Sequence, residues 1–422
     1  MTESVTHAAI AAIWKQESPR VIAVLTRIVR DVGLAEELVH DALVVALEQW
    51  PRTGMPDSPV GWLVTTARNR AIDAVRRRRM IHEKHEALGH ELATHVRFDD
   101  IEAELQHAFD DVRDDVLRLI FIACHPVLAR DARVALTLRL LGGLTTAEIA
   151  RAFLVPEPTI SQRIVRAKRT LADANVPFEL PSGDALGERL ASVLEVVYLI
   201  FNEGYSATAG EDVIRPALVE EALRLARLLA DLAPNESEVL GLLALLELQA
   251  SRSNARVDAA GEPVLLLDQD RARWDRALIA SGLAHLAQAD QLATTRGPYH
   301  LQAAIAACHA RAAAAADTDW TAIAMLYAEL GERTPSPVIA LNHAVAVSRA
   351  EGPAAGLALL DALAGEPALA RYHLFASARA DLLEQLGRFA AARAEFERAA
   401  ALTDNVRSRQ RLLRRAAACA AR

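Results

Sequence analysis

Hydrophobic residues recur every three or four positions along most of this chain, which is the spacing of one face of an α-helix. Residues 58–79 show it most clearly: Pro59 can begin a helix, and its apolar stripe follows as Val60, Leu63, Val64, Ala67, Ala71, Ala74 and Val75. The same periodicity predicts two helical pieces within residues 8–30, separated near Ser18-Pro19. With 5% aromatic residues and few β-branched runs, the sequence predicts an all-α protein.

Residues 34–49 form the next predicted helix, with Leu38, Ala42, Val45 and Leu47 facing a core. Its opposite face is predicted to be an acidic surface made of Glu36, Glu37, Asp41 and Glu48. The three prolines and the glycine between Trp50 and Pro59 then predict a loop that leads into the helix at residues 58–79.

That helix is rich in arginine although the whole chain carries a net charge of −8. Asn69, Asp73, Arg76 and Arg77 lie three or four residues apart and therefore share a face. A local basic helix in an acidic protein indicates a polyanion bound at one place. Taken alone, the helix is better explained as a solvated arginine face.

Residues 144–170 carry a second signal. Thr145 followed by Glu148 is a capping box that begins a short helix, with Leu144 and Ile149 at the staple positions. Pro156 or Pro158 begins a second helix that runs to about Leu171 and exposes polar and basic residues. A short capped helix, a tight turn and a basic helix predict a helix-turn-helix whose second helix enters the major groove of DNA, and an ordinary helical hairpin is the alternative. The candidate DNA-reading residues of this helix are Thr159, Ser161, Gln162, Arg163, Arg166 and Lys168.

The 422 residues are enough for two to four domains, and the three cysteines are too few and too scattered for a disulfide framework. The first residues do not resemble a signal peptide, and no stretch approaches eighteen uncharged apolar residues. We therefore expect a cytoplasmic protein without a membrane partner.

Enzyme chemistry is not expected. Cys124-His125 and Cys308-His309 are neighbours on a helix and point about 100° apart, so neither pair can act as a thiol dyad. The sequence has no paired Cys-x-x-Cys, no phosphate-binding loop and no dinucleotide turn, so no metal or cofactor is predicted.

Residues 181–422 are predicted to be helical, and two stretches near the end repeat with a spacing of 35 residues, around Gly352 and Gly387. Gly387, Phe389, Ala392, Phe396 and Ala399 match the tetratricopeptide pattern of small and large residues, which builds a concave surface from stacked helix pairs.

Four unusual stretches interrupt this second half, at residues 201–206, 268–274, 296–302 and 319–320. For Asp268 and Asp270, helix capping is favoured over metal binding. For Tyr205, Trp274, Tyr299 and Trp320, core filling and a binding surface remain equally open. The candidate surface residues of this half are Asn202, Glu203, Tyr205, Asp268, Asp270, Arg271, Trp274, Arg296, Tyr299 and Gln302.

The order of these features resembles a bacterial extracytoplasmic-function sigma factor, the minimal two-domain specificity subunit of RNA polymerase. The features are the acidic helix, the proline-rich loop, the helix with Trp62-Leu63 and Ala67-Arg68-Asn69, an acidic linker and the helix-turn-helix. The chain resembles the subgroup with a tetratricopeptide-like C-terminal extension. The implied domains are a region-two-like domain at 1–82, an acidic linker at 83–110, a region-four-like helix-turn-helix domain at 111–175 and the helical extension at 181–422.

The resemblance also implies partners, namely promoter DNA and the RNA polymerase core with its β′ and β subunits. It places core-polymerase binding on Glu37, Leu38, Val39, His40 and Asp41. It places the minus-ten element, including a flipped base, on Arg52, Ser58, Trp62, Asn69, Asp73, Arg76 and Arg77. It places binding of the minus-thirty-five element on the second helix of the helix-turn-helix. The loop departs from the family in having no aromatic residue between Arg52 and Gly61.

Two other readings of the residues remain open at this point. One is a conventional helix-turn-helix regulator that senses a partner through its repeats, and the other is a helical-repeat adaptor with a basic surface helix. Under the sigma-factor reading, the extension is expected to modulate activity or bind a partner, with docking onto its own N-terminal half as one route.

Overall fold

The structure, a computed structural model, describes residues 3–86, 112–153, 155–181, 184–205, 214–258, 264–403 and 405–422. Within these ranges the chain consists of α-helices and short 3₁₀ turns and contains no β-strand. The predicted all-α class is confirmed. The chain divides into two compact units, Met1–Val197 and Tyr198–Arg422, each of which is described by itself.

Unit 1 contains seven complete helices in the described ranges and the first part of an eighth. They are α1 (Glu3–Val29), α2 (Val32–Thr53), α3 (Pro59–Glu86), α4 (Val112–Ala123), α5 (Arg130–Leu140), α6 (Thr146–Phe153), α7 (Glu157–Asp173) and α8 (Asp184–Tyr205).

Helix α1 corrects one prediction, because it runs unbroken through Ser18 and Pro19. Both residues are buried, and Val21 to Leu25 directly after them lie in the core. A proline inside a helix removes one backbone hydrogen bond, a cost of about 3 kcal/mol. Packing of α1 against α2, α3 and α4 offsets that cost, so tertiary contacts override the local signal.

The helices of unit 1 form two groups that pack against each other. Helices α1 to α3 form the first group, and α4 to α7 form the second. Contacts between the groups run from α1 to α4 and α5, and from α2 to α7. Arg189 and Ser192 in the first part of α8 hydrogen-bond to backbone carbonyls of Phe121 and Cys124 at the end of α4, which anchors α8 to the second group.

Unit 2 is a succession of helices, most of which pack on a neighbour along the chain, and the helix at 237–250 packs on both helices that follow it. They are α9 (Pro216–Leu232), α10 (Ser237–Ala250), α11 (Arg276–Leu292), α12 (Pro298–Arg311), α13 (Trp320–Arg333), α14 (Pro337–Ala350), α15 (Pro353–Ala362), α16 (Pro367–Ala370), α17 (His373–Gln385), α18 (Phe389–Leu402) and α19 (Val406–Ala420).

The repeat predicted around Gly352 and Gly387 corresponds to two helix pairs, α14–α15 and α17–α18. Each glycine joins the helices of its pair and has a positive φ, 107° and 72°, which a residue with a Cβ rarely adopts. Phe396 and Leu360 of the two pairs are fully buried in one hydrophobic cluster. The geometry agrees with a helical repeat, whereas its assignment to the tetratricopeptide class stays a prediction.

The predicted domain boundaries also stay a prediction. Helix α3 continues to Glu86, four residues into the predicted acidic linker, and residues 87–111 lie outside the described part of the chain. The first part of α8, assigned to the extension from the sequence, packs in unit 1. None of the described helices is long and apolar enough to cross a bilayer.

We expect Gly241→Ala in α10 to destabilise unit 2. A Cβ at this position would lie 2.7 Å from the backbone nitrogen and 2.8 Å from the Cα of His300 in α12, so the two helices would have to separate. Overpacking of this kind costs about 1–3 kcal/mol. Urea unfolding of the whole chain, followed by tryptophan fluorescence and circular dichroism, measures the loss.

Gly187→Ala in α8 is the matched control, since no atom lies within 4 Å of its added Cβ. The better helix propensity of alanine should raise stability there by up to about 1 kcal/mol. Equal effects of the two substitutions would contradict the close approach of α10 and α12.

Candidate nucleic-acid interface

The loop between α2 and α3 is short and exposed. Gly54 ends α2 with a φ of 87° and donates its N–H to the Trp50 carbonyl at 3.0 Å. Ser58 begins α3, because its Oγ accepts the N–H of Gly61 at 3.3 Å. The side chains of Arg52 and Ser58, both predicted to contact DNA, are exposed.

An aromatic pair lies where this loop meets its helices. Trp50 is 2% exposed and meets the ring of Trp62 edge-on at 5.3 Å between centroids. Trp62 is partly exposed beside it. The loop itself has no ring, and the sequence prediction overlooked Trp50 as its aromatic neighbour. Trp50 continues the apolar stripe of the preceding helix, so the helical spacing could have identified it as buried.

Helix α3 presents part of the polar face predicted from its spacing. Asn69 and Asp73 are exposed, and Arg70 forms a surface ion pair with Asp41 of α2 at 3.1 Å. Arg76 and Arg77 belong to the same helix, but their side chains lie outside the described part of the structure.

The predicted core-polymerase residues divide between surface and interior. Glu37, His40 and Asp41 are exposed on α2, whereas Leu38 and Val39 are 7% and 1% exposed. The two apolar residues therefore fix the helix and hold the three polar side chains outward.

The capping box of the helix-turn-helix is confirmed. The backbone N–H of Thr145 donates to Glu148 Oε2 at 2.7 Å, and the N–H of Glu148 donates to Thr145 Oγ1 at 3.2 Å. Helix α6 follows from residue 146, and Ile149 at the staple position is fully buried. The turn leads into α7, the predicted reading helix.

Helix α7 exposes Ser161, Gln162 and Arg166 to solvent, and Thr159 is partly buried. Arg163 is also partly buried and pairs with Asp131 of α5 at 3.2 Å. Three of the residues that the sequence assigned to DNA, Ser161, Gln162 and Arg166, are thus accessible to solvent.

Lys168 and Glu36 correct two predictions. The sequence placed Glu36 on an acidic surface and Lys168 on the exposed face of α7. Glu36 is instead 5% exposed, and it pairs with Lys168 and, at 2.6 Å from its Oε1, with Nε of Arg139 in α5. Arg139 also donates to the Leu144 carbonyl at 3.2 Å, which connects the triad to the start of the helix-turn-helix.

The charges in this triad control the protonation of Glu36. Burial alone would raise the pKa of this carboxyl, but the positive charges of Lys168 and Arg139, together with their hydrogen bonds, outweigh it and hold the pKa below its usual value. Glu36 is therefore ionised at neutral pH although it is buried.

A second buried carboxylate joins the same two helix groups. Asp115 of α4 is fully buried and pairs with Arg118 at 2.7 Å and with Arg27 of α1 at 3.4 Å. The described side chains of unit 1 therefore include two buried acids, and each bridges α1–α3 to α4–α7.

The extension departs from the predicted binding surface. Tyr205 and Trp274 are 6% and 3% exposed, so neither ring can form a docking surface. Their burial answers the question that the sequence left open, in favour of core filling. Tyr299 is partly buried and meets Tyr198 at 5.5 Å, and the Tyr198 hydroxyl donates to Gln302 at 3.4 Å.

The polar residues of these stretches mostly have structural partners. Asp270 caps a 3₁₀ turn through the N–H of Ala272 at 2.9 Å, as capping predicted, and Asp268 is exposed at the end of another 3₁₀ turn. Arg296 pairs with Glu329 at 2.5 Å. Glu203 pairs with Arg215, and Asn202 beside it is partly buried.

Arg271 is buried and ties its 3₁₀ turn to the end of α12. It donates to the carbonyls of His309 and Ala312 at 2.5 and 2.6 Å, and to the Thr318 hydroxyl at 3.1 Å. Burial, and then the charge of nearby Arg252, lower its pKa.

The cysteines lie in unreactive settings. Burial raises the pKa of the Cys124 thiol to about 11, and its sulfur lies 3.4 Å from the Thr137 hydroxyl. Burial also raises the pKa of Cys308. The described residues hold no group of three or more metal-ligating side chains.

Comparison with known families assigns both helix groups of unit 1. Residues 13–80 match sigma-70 region 2, and residues 118–171 match sigma-70 region 4. Residues 189–290 match a family of unknown function (DUF6596).

Individual relatives agree with these two sigma-70 matches. The ECF RNA polymerase sigma factor SigK of Mycolicibacterium vanbaalenii is 30% identical over 167 residues, which are 39% of this chain and 80% of the relative. SigK of Mycobacterium bovis is 30% identical over 169 residues, with 84% of its length covered. The chain belongs to the family of ECF RNA polymerase sigma factors.

This sigma factor is therefore a transcription initiation subunit that binds the RNA polymerase core and promoter DNA. The region 2 match gives the first half of unit 1 a role that a conventional helix-turn-helix regulator would leave unexplained. An uncharacterized protein of Rhizobium meliloti (strain 1021) is 47% identical over 390 residues, 92% of this chain and 90% of the relative. The similarity to that protein thus extends beyond the two sigma regions. No solved structure matches the chain.

We expect Glu36→Gln to destabilise unit 1, because it leaves the partly buried charges of Lys168 and Arg139 without their shared anion. Breaking a buried pair costs about 3–5 kcal/mol, and since both cations keep a fifth of their side chains exposed, the lower end applies. Chemical unfolding at neutral pH measures the change, with Glu37→Gln on the exposed face of α2 as the matched control.

The pH dependence of this difference has a defined sign. The folded-state pKa of Glu36 is lowered, so its stabilisation is complete above the usual glutamate pKa and disappears as the pH falls through the lowered value. The difference between wild type and Glu36→Gln should therefore shrink on acidification. A gap that is as large in acid as at neutral pH, or equal effects of Glu36→Gln and Glu37→Gln, would contradict the triad.

Proposed function

We propose that this sigma factor directs promoter-specific transcription initiation by contacting core polymerase through α2, the minus-ten element through α3 and its loop, and the minus-thirty-five element through α7. One observation supports this best: sigma-70 regions 2 and 4 occur in order in one chain, and each presents an exposed polar face. The proposed partner surfaces are on the β′ and β subunits of the core.

Core binding is assigned to Glu37, His40 and Asp41. They lie within five residues on the exposed side of α2, and Leu38 and Val39 anchor that side from beneath. An acidic, pre-positioned patch suits a basic partner surface, where charge complementarity sets orientation and specificity.

The minus-ten element is assigned to the loop and α3. Arg52 and Ser58 border the loop, while Asn69 and Asp73 continue the polar track along the helix, towards Arg76 and Arg77. A single strand requires cationic and polar contacts together with a pocket for an unstacked base. Since the loop has no ring of its own and Trp62 packs against Trp50, we propose that polar groups bind the flipped base from the loop side.

The minus-thirty-five element is assigned to α7, where Ser161, Gln162 and Arg166 are already exposed. Lys168 cannot contact a phosphate while it pairs with Glu36, and Arg163 shares its charge with Asp131. All six proposed residues of α7 can therefore contact DNA only after the contact between α2 and α7, made by Glu36 and Lys168, has opened. Core polymerase, which occupies α2 directly beside Glu36, is the partner best placed to open it.

The extension is proposed to modulate this activity or to bind a partner, in the cytoplasm where the polymerase acts. Its successive helix packing and its two glycine-linked pairs support a repeat of the tetratricopeptide kind. The domain boundaries at 1–82, 83–110, 111–175 and 181–422 are retained as part of this proposal. Docking onto the sigma half remains one of its routes, without Tyr205 or Trp274 as contact residues.

Asp41→Lys tests the proposed function. The ion pair of Asp41 with Arg70 is exposed and is worth at most about 1 kcal/mol, so the domain should stay folded. Charge reversal against a basic partner surface should weaken core binding by about tenfold or more. Gel filtration with core polymerase measures binding, and mapping of transcript 5′ ends on genomic DNA measures initiation.

Glu48→Lys supplies the control, because it reverses an equally exposed charge further along α2. The wild type and Glu48→Lys should bind core and start transcripts at the same defined sites, and Asp41→Lys should lose both activities. If the wild type does not bind core, or if Asp41→Lys binds and initiates normally, the proposed assignment is wrong.

A further inference from the structure

Unit 2 contains a cavity of about 350 Å³ bounded by α12, α13, α14 and the end of α10. Its apolar lining includes Ile305, Leu330 and Ile339, and no Asp or Glu lines it. The polar lining includes Tyr198, Gln249, Arg252, Gln302, His309 and Tyr327. Cavities of roughly this size hold small organic molecules.

Arg252 is the one Arg or Lys among the lining residues. Its backbone N–H donates to the Gln249 carbonyl at 3.2 Å, but its guanidinium has no hydrogen bond or ion pair with the described residues. Its guanidinium instead lies over aromatic rings, 5.8 Å from the centroid of Tyr205 and 5.9 Å from that of Trp274. Contacts at this distance are at the outer limit of a cation–π interaction, which uses the charge of an arginine and leaves its N–H donors available. The donors of Arg252 are therefore free to meet a ligand.

Two further arginines strengthen the positive field at this point. Arg256 lies 3.9 Å from the ring centroid of Tyr205, and Arg271 lies 4.8 Å from that of Trp274. Arg271 is already committed to backbone carbonyls and cannot turn towards a ligand. Exposed Asp317 is near Arg271 and offsets part of its charge.

His309 gives an independent sign of a missing partner. Its side chain lines the cavity and the residue is 8% exposed, yet its Nδ1 is buried without a hydrogen-bond partner. Burial, and then Arg252 and Arg271, lower its pKa to about 4, so the ring is neutral at pH 7. An unpaired buried polar atom costs about 1–3 kcal/mol, and a bound polar group would remove that cost.

We propose that this cavity binds the carboxylate of a small, partly apolar organic acid. Arg252 receives the carboxylate through its free N–H donors, and the Gln249 amide and the Tyr327 hydroxyl supply further donors from the lining. The Gln302 amide already donates to the Pro298 carbonyl at 3.2 Å and has one N–H left. The apolar lining residues receive the hydrocarbon part. A phosphate dianion fits less well, because a single available guanidinium would leave its second charge uncompensated.

The site also explains three of the four unusual sequence stretches. Tyr205, Trp274 and Gln302 come from different stretches; the rings of the first two lie beside Arg252, and the third lines the cavity. These residues are thus the framework of an internal site in the extension. The proposal does not depend on the sigma activity, since ligand binding is measured on the free protein.

Ligand-observed saturation-transfer NMR on the full chain tests the proposal with 4-methylpentanoate, its neutral isostere 4-methylpentanamide, and inorganic phosphate as a competitor. We expect the acid to bind at least tenfold more tightly than the amide, a free-energy difference of about 1.4 kcal/mol, and phosphate not to displace it. Arg252→Gln should weaken acid binding at least tenfold, while Arg371→Gln, an exposed arginine elsewhere in unit 2, should leave it unchanged.

Asn342→Asp keeps the test decisive if Arg252→Gln fails to fold. Asn342 lines the cavity and is exposed, so the substitution adds a negative charge of the same shape without disturbing the core, and it should weaken acid binding. Melting curves identify any misfolded variant. The proposal is overturned if the acid does not bind, if acid and amide bind alike, if phosphate displaces the acid, or if folded Arg252→Gln and Asn342→Asp both bind as the wild type does.

Discussion

The buried carboxylate of Glu36 is the interaction on which the arrangement of the sigma half depends. It lies in the helix that carries the proposed polymerase contact. Its partner Arg139 lies in the helix before the helix-turn-helix motif and its partner Lys168 in the second helix of that motif, so one ionised group couples both sigma regions. A buried ion pair contributes little net stability compared with apolar packing, but breaking it leaves charges without partners. Such a contact favours one arrangement of the two regions. Asp115 of α4 pairs with Arg27 of α1 and with Arg118, and so adds a second buried ionic contact between the two regions, here between α1 and α4.

This coupling explains why the free chain presents its two functional faces unequally. The exposed residues of α2 and the loop before α3 are available at once, whereas Lys168 of α7 is occupied. Under the proposed function, this packing lets the chain meet the polymerase before all of α7 reads duplex DNA.

Local signals predicted much of the fold. The capping box at Thr145 and Glu148 acts through neighbouring backbone atoms, so its residues alone define the start of α6. The glycines at 352 and 387 mark turns for the same reason. Helical spacing could not predict that Glu36 is buried, because that depends on Arg139 and Lys168, which are more than 100 residues away. Likewise, Pro19 continues a helix only because distant helices cover it. Trp274 is buried because it packs in a hydrophobic cluster with residues of α10, α11 and α12.

Spin labels on α2 and α7 test the coupling most directly. Val44 and Val165 are 41% and 62% exposed, so cysteines at these positions, with Cys308 replaced by serine, can carry the labels without disturbing the core. Pulsed electron–electron double resonance on the free protein should give one narrow distance distribution. The distribution should broaden in Glu36→Gln and shift to longer distances when core polymerase is added. A broad distribution in the free wild type, or a narrow one that core polymerase leaves unchanged, would contradict a contact that holds the two sigma regions together until the polymerase opens it.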